Sequence, residues 1–284
     1  MHFSETLTRV DMSVNQGFLN RIQVWADGKG RKYLSRGQNE DQSEVIHNLQ
    51  EEYAFNGLMK KGGAFRIRSP REQVQFVINA RRAKLRVVPF VGVMDDDLIM
   101  PMITGNDMKS KVNTVKNERA LLHVIRPAFH DIANAHAPSK QIVYGDRWLK
   151  NILVDQRGGI HQVDFDIEIS GPHAREYELA QFFYSTIRDT QKKDRLLAAL
   201  SACNLRKKLQ HHSVSVVSEF LESYGLWYGH KHPNDSAQTQ AVQQSIGEVV
   251  RMMSKRVYQP ASCPTIPAIE PSVMMTLDPI RSQF

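Results

Sequence analysis

Two cysteines in 284 residues, Cys203 and Cys263, give neither a disulfide framework nor a spaced metal set. No uninterrupted apolar run approaches the roughly 20 residues that a membrane helix needs. The opening Met-His-Phe-Ser-Glu-Thr has no basic start and no apolar segment of the signal-peptide kind. A reducing cytoplasm is therefore the expected compartment. Internal repeats and sustained heptads are also missing. Proline is unevenly placed: five of the twelve lie after Gln259. That stretch cannot form a regular helix or a central strand.

What is present suffices for a core: 41% of residues are hydrophobic, and 284 residues make one large domain or two small parts. The net charge of +7 is local. Residues 60–86 hold nine basic side chains against one acid, Glu72. Such a segment is either a solvated helix face or a patch for nucleic acid, anionic lipid or a phosphorylated substrate.

The first hundred residues read as strands with helices set among them. Short runs at 10–14, 21–25 and 31–34 are separated by Asn15-Gln16-Gly17 and Asp27-Gly28-Lys29-Gly30, both hairpin punctuation. Apolar spacing predicts a helix over 43–60. Ser69-Pro70-Arg71-Glu72 opens another, with Ser69 as N-cap and Pro70 at the first helical position. Strands are expected at 87–93 and 98–102. From Asn117 the pattern turns helical, with Pro127 a kink. Helices are also expected at 174–188, 192–203, 206–225 and 237–257. His136 reads as a core or capping histidine.

The most informative stretch runs from Ile142 to Asp166. Tyr144-Gly145-Asp146 is followed by four residues, Asn151, an apolar run, a Gly158-Gly159 turn, a second apolar run and Asp164-Phe165-Asp166. Each Asp alone, Asp155 included, reads as a turn or strand-end residue. Together they place three oxygen-bearing side chains, Asp146, Asn151 and Asp164, on one hairpin. Phosphoryl transfer needs that set: a carboxylate to orient and deprotonate a hydroxyl, and hard oxygens to hold magnesium on the phosphates.

This phrase resembles that of the aminoglycoside/choline phosphotransferase superfamily, most closely over residues 130–184 and more loosely over 70–105. The Asp-Phe-Asp ending is also similar to that of lipopolysaccharide Kdo kinases. The resemblance implies an α+β, bilobal protein-kinase-like fold. Residues 1–105 would form a mainly β N-lobe with inserted helices and 106–258 a mainly α C-lobe, with a Pro-rich tail at 259–284. It implies ATP and Mg2+ as cofactors, Asp146 as catalytic base, and Asn151 and Asp164 as metal ligands. Gly17 and Asn20 would lie in the phosphate-covering loop, and Met100 to Met102 would form the hinge that reads adenine. The strand cation would be Arg36, with Lys32 on the same face, or else Arg66 or Arg68. Its acidic partner would be Glu72, with Glu52 as second choice. Tyr144 replaces the usual His, and Asp166 stands where protein kinases have Gly. Lys150 is placed to touch a phosphate or solvent. Glu178 matches the acid that braces the catalytic loop.

The expected function is phosphorylation of a small-molecule hydroxyl on an amino alcohol, aminoglycoside or sugar. The alternatives are a lipopolysaccharide or anionic-lipid sugar kinase, which the 60–86 segment favours, and a degenerate kinase-fold binding protein. No Ala-Pro-Glu motif follows Asp164, which argues against a protein kinase.

Overall fold

The computed structural model describes residues 6–12, 19–39, 41–203 and 205–254, a mixed α+β arrangement. Gly17, Cys263 and the segment 259–284 lie outside the described residues. No helix among the described residues is long and apolar enough to cross a membrane.

Strands β1 (Leu7–Val10), β2 (Asn20–Asp27) and β3 (Lys32–Gln38) run antiparallel. The β2–β3 turn is set by Asp27, whose carboxylate accepts the amides of Lys29 and Arg31 at 2.9 Å each. Helix α1 (Ser43–Phe55) follows. It stops before the expected residue 60 because Asn56-Gly57 turns the chain, Gly57 taking φ 81°. A 3-10 turn, Met59–Lys61, leads to β4 (Ala64–Ile67). Helix α2 (Pro70–Arg82) starts with a full capping box: Ser69 accepts from the Glu72 amide, and the Glu72 carboxylate accepts from the Ser69 amide at 2.8 Å.

Strands β5 (Gly92–Met94) and β6 (Asp97–Pro101) join through Asp95-Asp96, both at positive φ, as a tight hairpin demands. The five strands form one antiparallel sheet of order β1-β2-β3-β6-β5. The expected strand at 87–93 is thus shorter. Residues 86–88 run beside another element, the Val88 amide donating to the Gln162 carbonyl at 3.0 Å.

A second group of short elements comes next. Strand β7 (Gly105–Asp107) pairs with β8 (Ile152–Asp155), which pairs with β9 (Ile160–Gln162). Helices α3 (Met108–Thr114) and α4 (Glu118–Ala135) intervene, α4 containing Pro127. Strand β10 (Ile167–Ser170) pairs with β4 across the chain. Helices α5 (Ala174–Asp189), α6 (Lys193–Ser201), α7 (Leu205–Lys208), α8 (Val214–Lys231) and α9 (Ser236–Met253) complete the described chain. The single helix expected at 206–225 is therefore broken. His212 turns inward to His136, and the Ser213 amide donates to Glu176, which forces a corner between α7 and α8.

The main core packs α4, α5, α6, α8 and α9 around Phe129, Phe182, Phe183 and Tyr224. The sheet buries Val24, Tyr33, Leu98, Ile99 and Met100, and none of these joins that cluster.

The basic segment 60–86 is not one outer face. Arg68 is buried, with Nη1 donating to the carbonyls of Tyr144, Phe165 and Ile167 at 3.0, 3.0 and 2.7 Å. Arg66 binds Glu72 and Glu168, and Lys61 binds Glu219. Arg81, Arg82, Lys84 and Arg86 remain exposed. Replacing Arg68 with Met keeps the stem but strands three buried carbonyls. At about 1–3 kcal/mol for each group left unsatisfied, the variant should lose at least about 2 kcal/mol of stability in urea denaturation. A loss below about 0.5 kcal/mol would show that these bonds hold nothing together.

Candidate active site

The loop from Tyr144 to Asn151 starts at a glycine that no other residue could replace. Gly145 has φ 103°, and a Cβ there would lie 2.0 Å from the Ile167 carbonyl oxygen. The loop's amides are then held by one face of α5. Glu178, Gln181 and Ser185 accept from the amides of Gly145, Arg147 and Leu149 at 2.8, 2.6 and 2.9 Å. Spacings of three and four residues put those acceptors in line on a helix. Glu178 also hydrogen-bonds His136 Nε2 at 2.6 Å, and His136 Nδ1 faces His212 at 2.9 Å. Tyr144 donates to Asp131 at 3.1 Å, and its ring carries the Arg147 guanidinium at 3.5 Å. His136 and Tyr144 are thus buried supports.

Asp146 is buried beneath this loop. Its Oδ2 accepts from Asn151 Nδ2 at 2.7 Å, while Oδ1 is buried with no partner. Asn151 closes a 3-10 turn, Leu149–Asn151, and its carbonyl accepts from the Val163 amide at 3.0 Å. Asp155 plays another part. It caps the β8–β9 turn by accepting from the amides of Arg157 and Gly159 and from His161, so it is a turn residue.

Asp164 sits at φ 69°, a left-handed conformation unusual for a residue with a Cβ. Its Oδ1 accepts from Arg36 Nη2 at 2.5 Å. The same nitrogen binds Asp166, which also accepts from Asn20 Nδ2. One guanidinium nitrogen on β3 therefore joins two carboxylates on the segment after β9.

The acids respond differently to burial. Asp146 is pushed well above the usual carboxylate range, first by burial and then by the charge of Asp164. Asp166 rises to about 7 for the same two reasons. Burial would also raise Asp164, but Arg36's charge and hydrogen bond bring it below its ordinary value.

A cleft of about 480 Å³ opens over these groups. Asp146, Asp164, Asp166 and Asn20 form its floor. Helix α1 contributes Val45, Asn48, Leu49 and Glu52, a stripe at helical spacing. Trp148, Lys150, Arg188, Trp227 and Lys231 complete the far end. Glu52 is half-buried beside Tyr224, whose hydroxyl lies 3.2 Å away, and desolvation lifts its carboxyl to about 7.

The structure thus brings together Asn20, Arg36, Asp146, Asn151 and Asp164. It does not bring Glu72, Met100 or Met102 to them. Glu72 caps its own helix and pairs with Arg66 in an open groove, because a capping box fixes its carboxylate at the helix start. Met100 is buried in the β3–β6 ladder. The Met102 amide already donates to the Lys32 carbonyl at 3.0 Å, which leaves it no hydrogen for a base. Arg66 and Arg68 are likewise committed to Glu168. The residues not anticipated are Gln181, Ser185, Arg188, Trp227 and Lys231. The 178/181/185 spacing was the available signal for the first two; the others meet the cleft only through helix packing.

Among the described residues, no three His, Cys, Asp or Glu side chains converge to hold a metal unaided. Magnesium, however, commonly takes only one or two protein carboxylates, with water and substrate phosphates filling the rest. Asn151, bonded to Asp146, and Asp164, whose charge acts on Asp146, offer hard oxygens that fit that ion. Compared with models of known families and with curated proteins, the chain matches none.

Glu178 offers a test of how the loop is held. Burial pushes its carboxyl up, but Arg147, His136 and the Gly145 amide bring it below its ordinary 4.5. A carboxylate depressed in the fold stabilises above its unfolded pKa, and that stability is lost as pH falls through the folded value. Glu178→Gln should cost about 3 kcal/mol near neutrality, as for a broken buried pair. It should also decline less steeply than wild type in denaturation series taken from pH 4.5 downward. Parallel acid slopes for the two proteins would remove Glu178 from this role.

Proposed function

We propose that the protein is an ATP- and magnesium-dependent phosphotransferase of protein-kinase-like, bilobal plan, acting on the hydroxyl of a small molecule. The observation that carries this reading is that Asp146 and Asp164 line one cleft, each held from behind, Asp146 by Asn151 and Asp164 by Arg36. These are the parts phosphoryl transfer uses: a base, metal-binding oxygens and a cation for phosphate.

Asp146 fits the base. Asn151 fixes its Oδ2, and the residue lines the cleft that an acceptor hydroxyl would enter. The acceptor oxygen forms the new bond to the γ-phosphorus, and the bridging P–O bond breaks. ADP leaves with that electron pair, and the hydroxyl proton passes to Asp146. Asn151 and Asp164 would hold magnesium, which supplies charge neutralisation at the phosphates. Arg36, already bridging Asp164 and Asp166, is placed to add positive charge on the sheet side.

The test is nucleotide-induced thermal stabilisation with and without magnesium, followed by ATP turnover against a library of hydroxyl compounds. Asp164→Ala should abolish the magnesium-dependent part of ATP binding. Asp146→Asn should bind ATP nearly as wild type yet lose about 10²–10⁴ in turnover. Equal magnesium-dependent stabilisation of wild type and Asp164→Ala would sink the metal assignment. Nucleotide binding with no turnover by wild type would leave a binding protein.

A further inference from the structure

Beyond Asp146 the cleft continues into a space that the phosphotransfer groups leave unused, between α1 and the ends of α5 and α8. Glu52 and Asn48 stand on one side, and Trp148, Arg188, Trp227 and Lys231 on the other. Both indoles look suited to an ammonium ion, but each already carries a cation. The Arg188 guanidinium lies 4.6 Å from the Trp148 ring centre, and Lys231 Nζ lies 4.5 Å from that of Trp227. A second positive group would meet repulsion there in place of the usual attraction to an open ring face.

The local charge points the same way. Arg188 is balanced by Asp189 at 2.8 and 2.9 Å, and Lys231 by Glu51 at 3.1 Å. Neither acid lines the cleft, although both of their cations do. Lys150 also lines the cleft, its charge acting on Asp146, Asp164 and Glu52. Glu52 is the carboxylate of this end, and burial holds it near 7, so it is partly protonated and offsets little of that charge.

We propose that this end of the cleft binds the acceptor, and that the acceptor is a hydroxylated compound carrying a carboxylate or phosphate. Its anionic group rests against Arg188 and Lys231, and its hydroxyls meet Asn48 and Glu52. This rests on the phosphotransferase reading and narrows its acceptor to an anionic sugar or polyol, against an amino alcohol or aminoglycoside. Helix α1 becomes the specificity element, because it alone contributes Asn48 and Glu52.

Calorimetry on the full chain without nucleotide separates this inference from the reading beneath it. The probes are a set of sugar acids, a set of sugar phosphates, glucose, glucosamine and choline. One anionic class should bind more tightly than all the neutral and cationic probes, and the comparison of acids with phosphates identifies which. Lys231→Gln, a change at a half-exposed side chain, should weaken that binding about tenfold or more, as for a lost charged hydrogen bond. It should leave the ATP-induced thermal shift unchanged. Arg188→Gln should act in the same direction. Tighter binding of glucosamine or choline, no binding of any anionic probe, or unaltered binding by Lys231→Gln would each overturn the proposal. Anion binding without any phosphate transfer would support this subsite while defeating the phosphotransferase reading. Transfer to a neutral or amino acceptor with indifference to anions would do the reverse.

Discussion

Everything at the site depends on three carbonyls meeting one buried guanidinium. Tyr144, Phe165 and Ile167 lie on the two segments that carry the acids, and nothing in a β-hairpin brings those segments together beyond its own ladder. Arg68 Nη1 does so from the residue that follows β4. Its stem is covered, and its plane packs on Phe76 at 4.3 Å. With the carbonyls gathered, Gly145 must approach Ile167 closely, which forces its left-handed conformation. The α5 acceptors then take the loop amides that this geometry exposes.

Within that frame the carboxylates are driven apart in character. Asp146 is raised by burial and by the charge of Asp164, which outweigh the opposing charge of Lys150. Asp164 holds Arg36 and gives its proton up. Two acids of one type, a short distance apart in sequence, thereby acquire opposite preferences. This separation of pKa values marks sites where one carboxyl handles protons and its neighbour handles positive charge.

Parts of this were legible in the residues alone. The Gly158-Gly159 turn between two apolar runs could hardly be anything but a hairpin. Ser69-Pro70 with Glu72 three residues past the cap specified a helix start to the residue. That same pattern explains an error: a carboxylate engaged in a capping box is not available to a distant arginine, and local hydrogen bonding prevailed for Glu72. Arg36 met acids from the far side of the chain instead. Strand β10 and its pairing with β4 went unseen because four residues carry too little periodicity, and the pairing spans a hundred positions. The α1 stripe was visible as an apolar face; that the face borders a cleft, with Glu52 and Asn48 on it, depends on where α8 lies. Arg188 and Lys231 belong to helices whose packing no local pattern encodes.

The five-stranded sheet has a core separate from the helices, and the described chain passes between the two at only three places, near 39–42, 89–91 and 101–104. Helices α1 and α2, β4 and residues 86–88 all belong with the helical side, the last through Gln162. At the cleft, the sheet's ionic hold on that side comes from Arg36, with Asn20 beside it. Discharging Asp166 would remove one of the two acids on Arg36 and leave its pair with Asp164 in place. The ionic tie between sheet and helical side at the cleft would then rest on a single pair, Arg36 with Asp164.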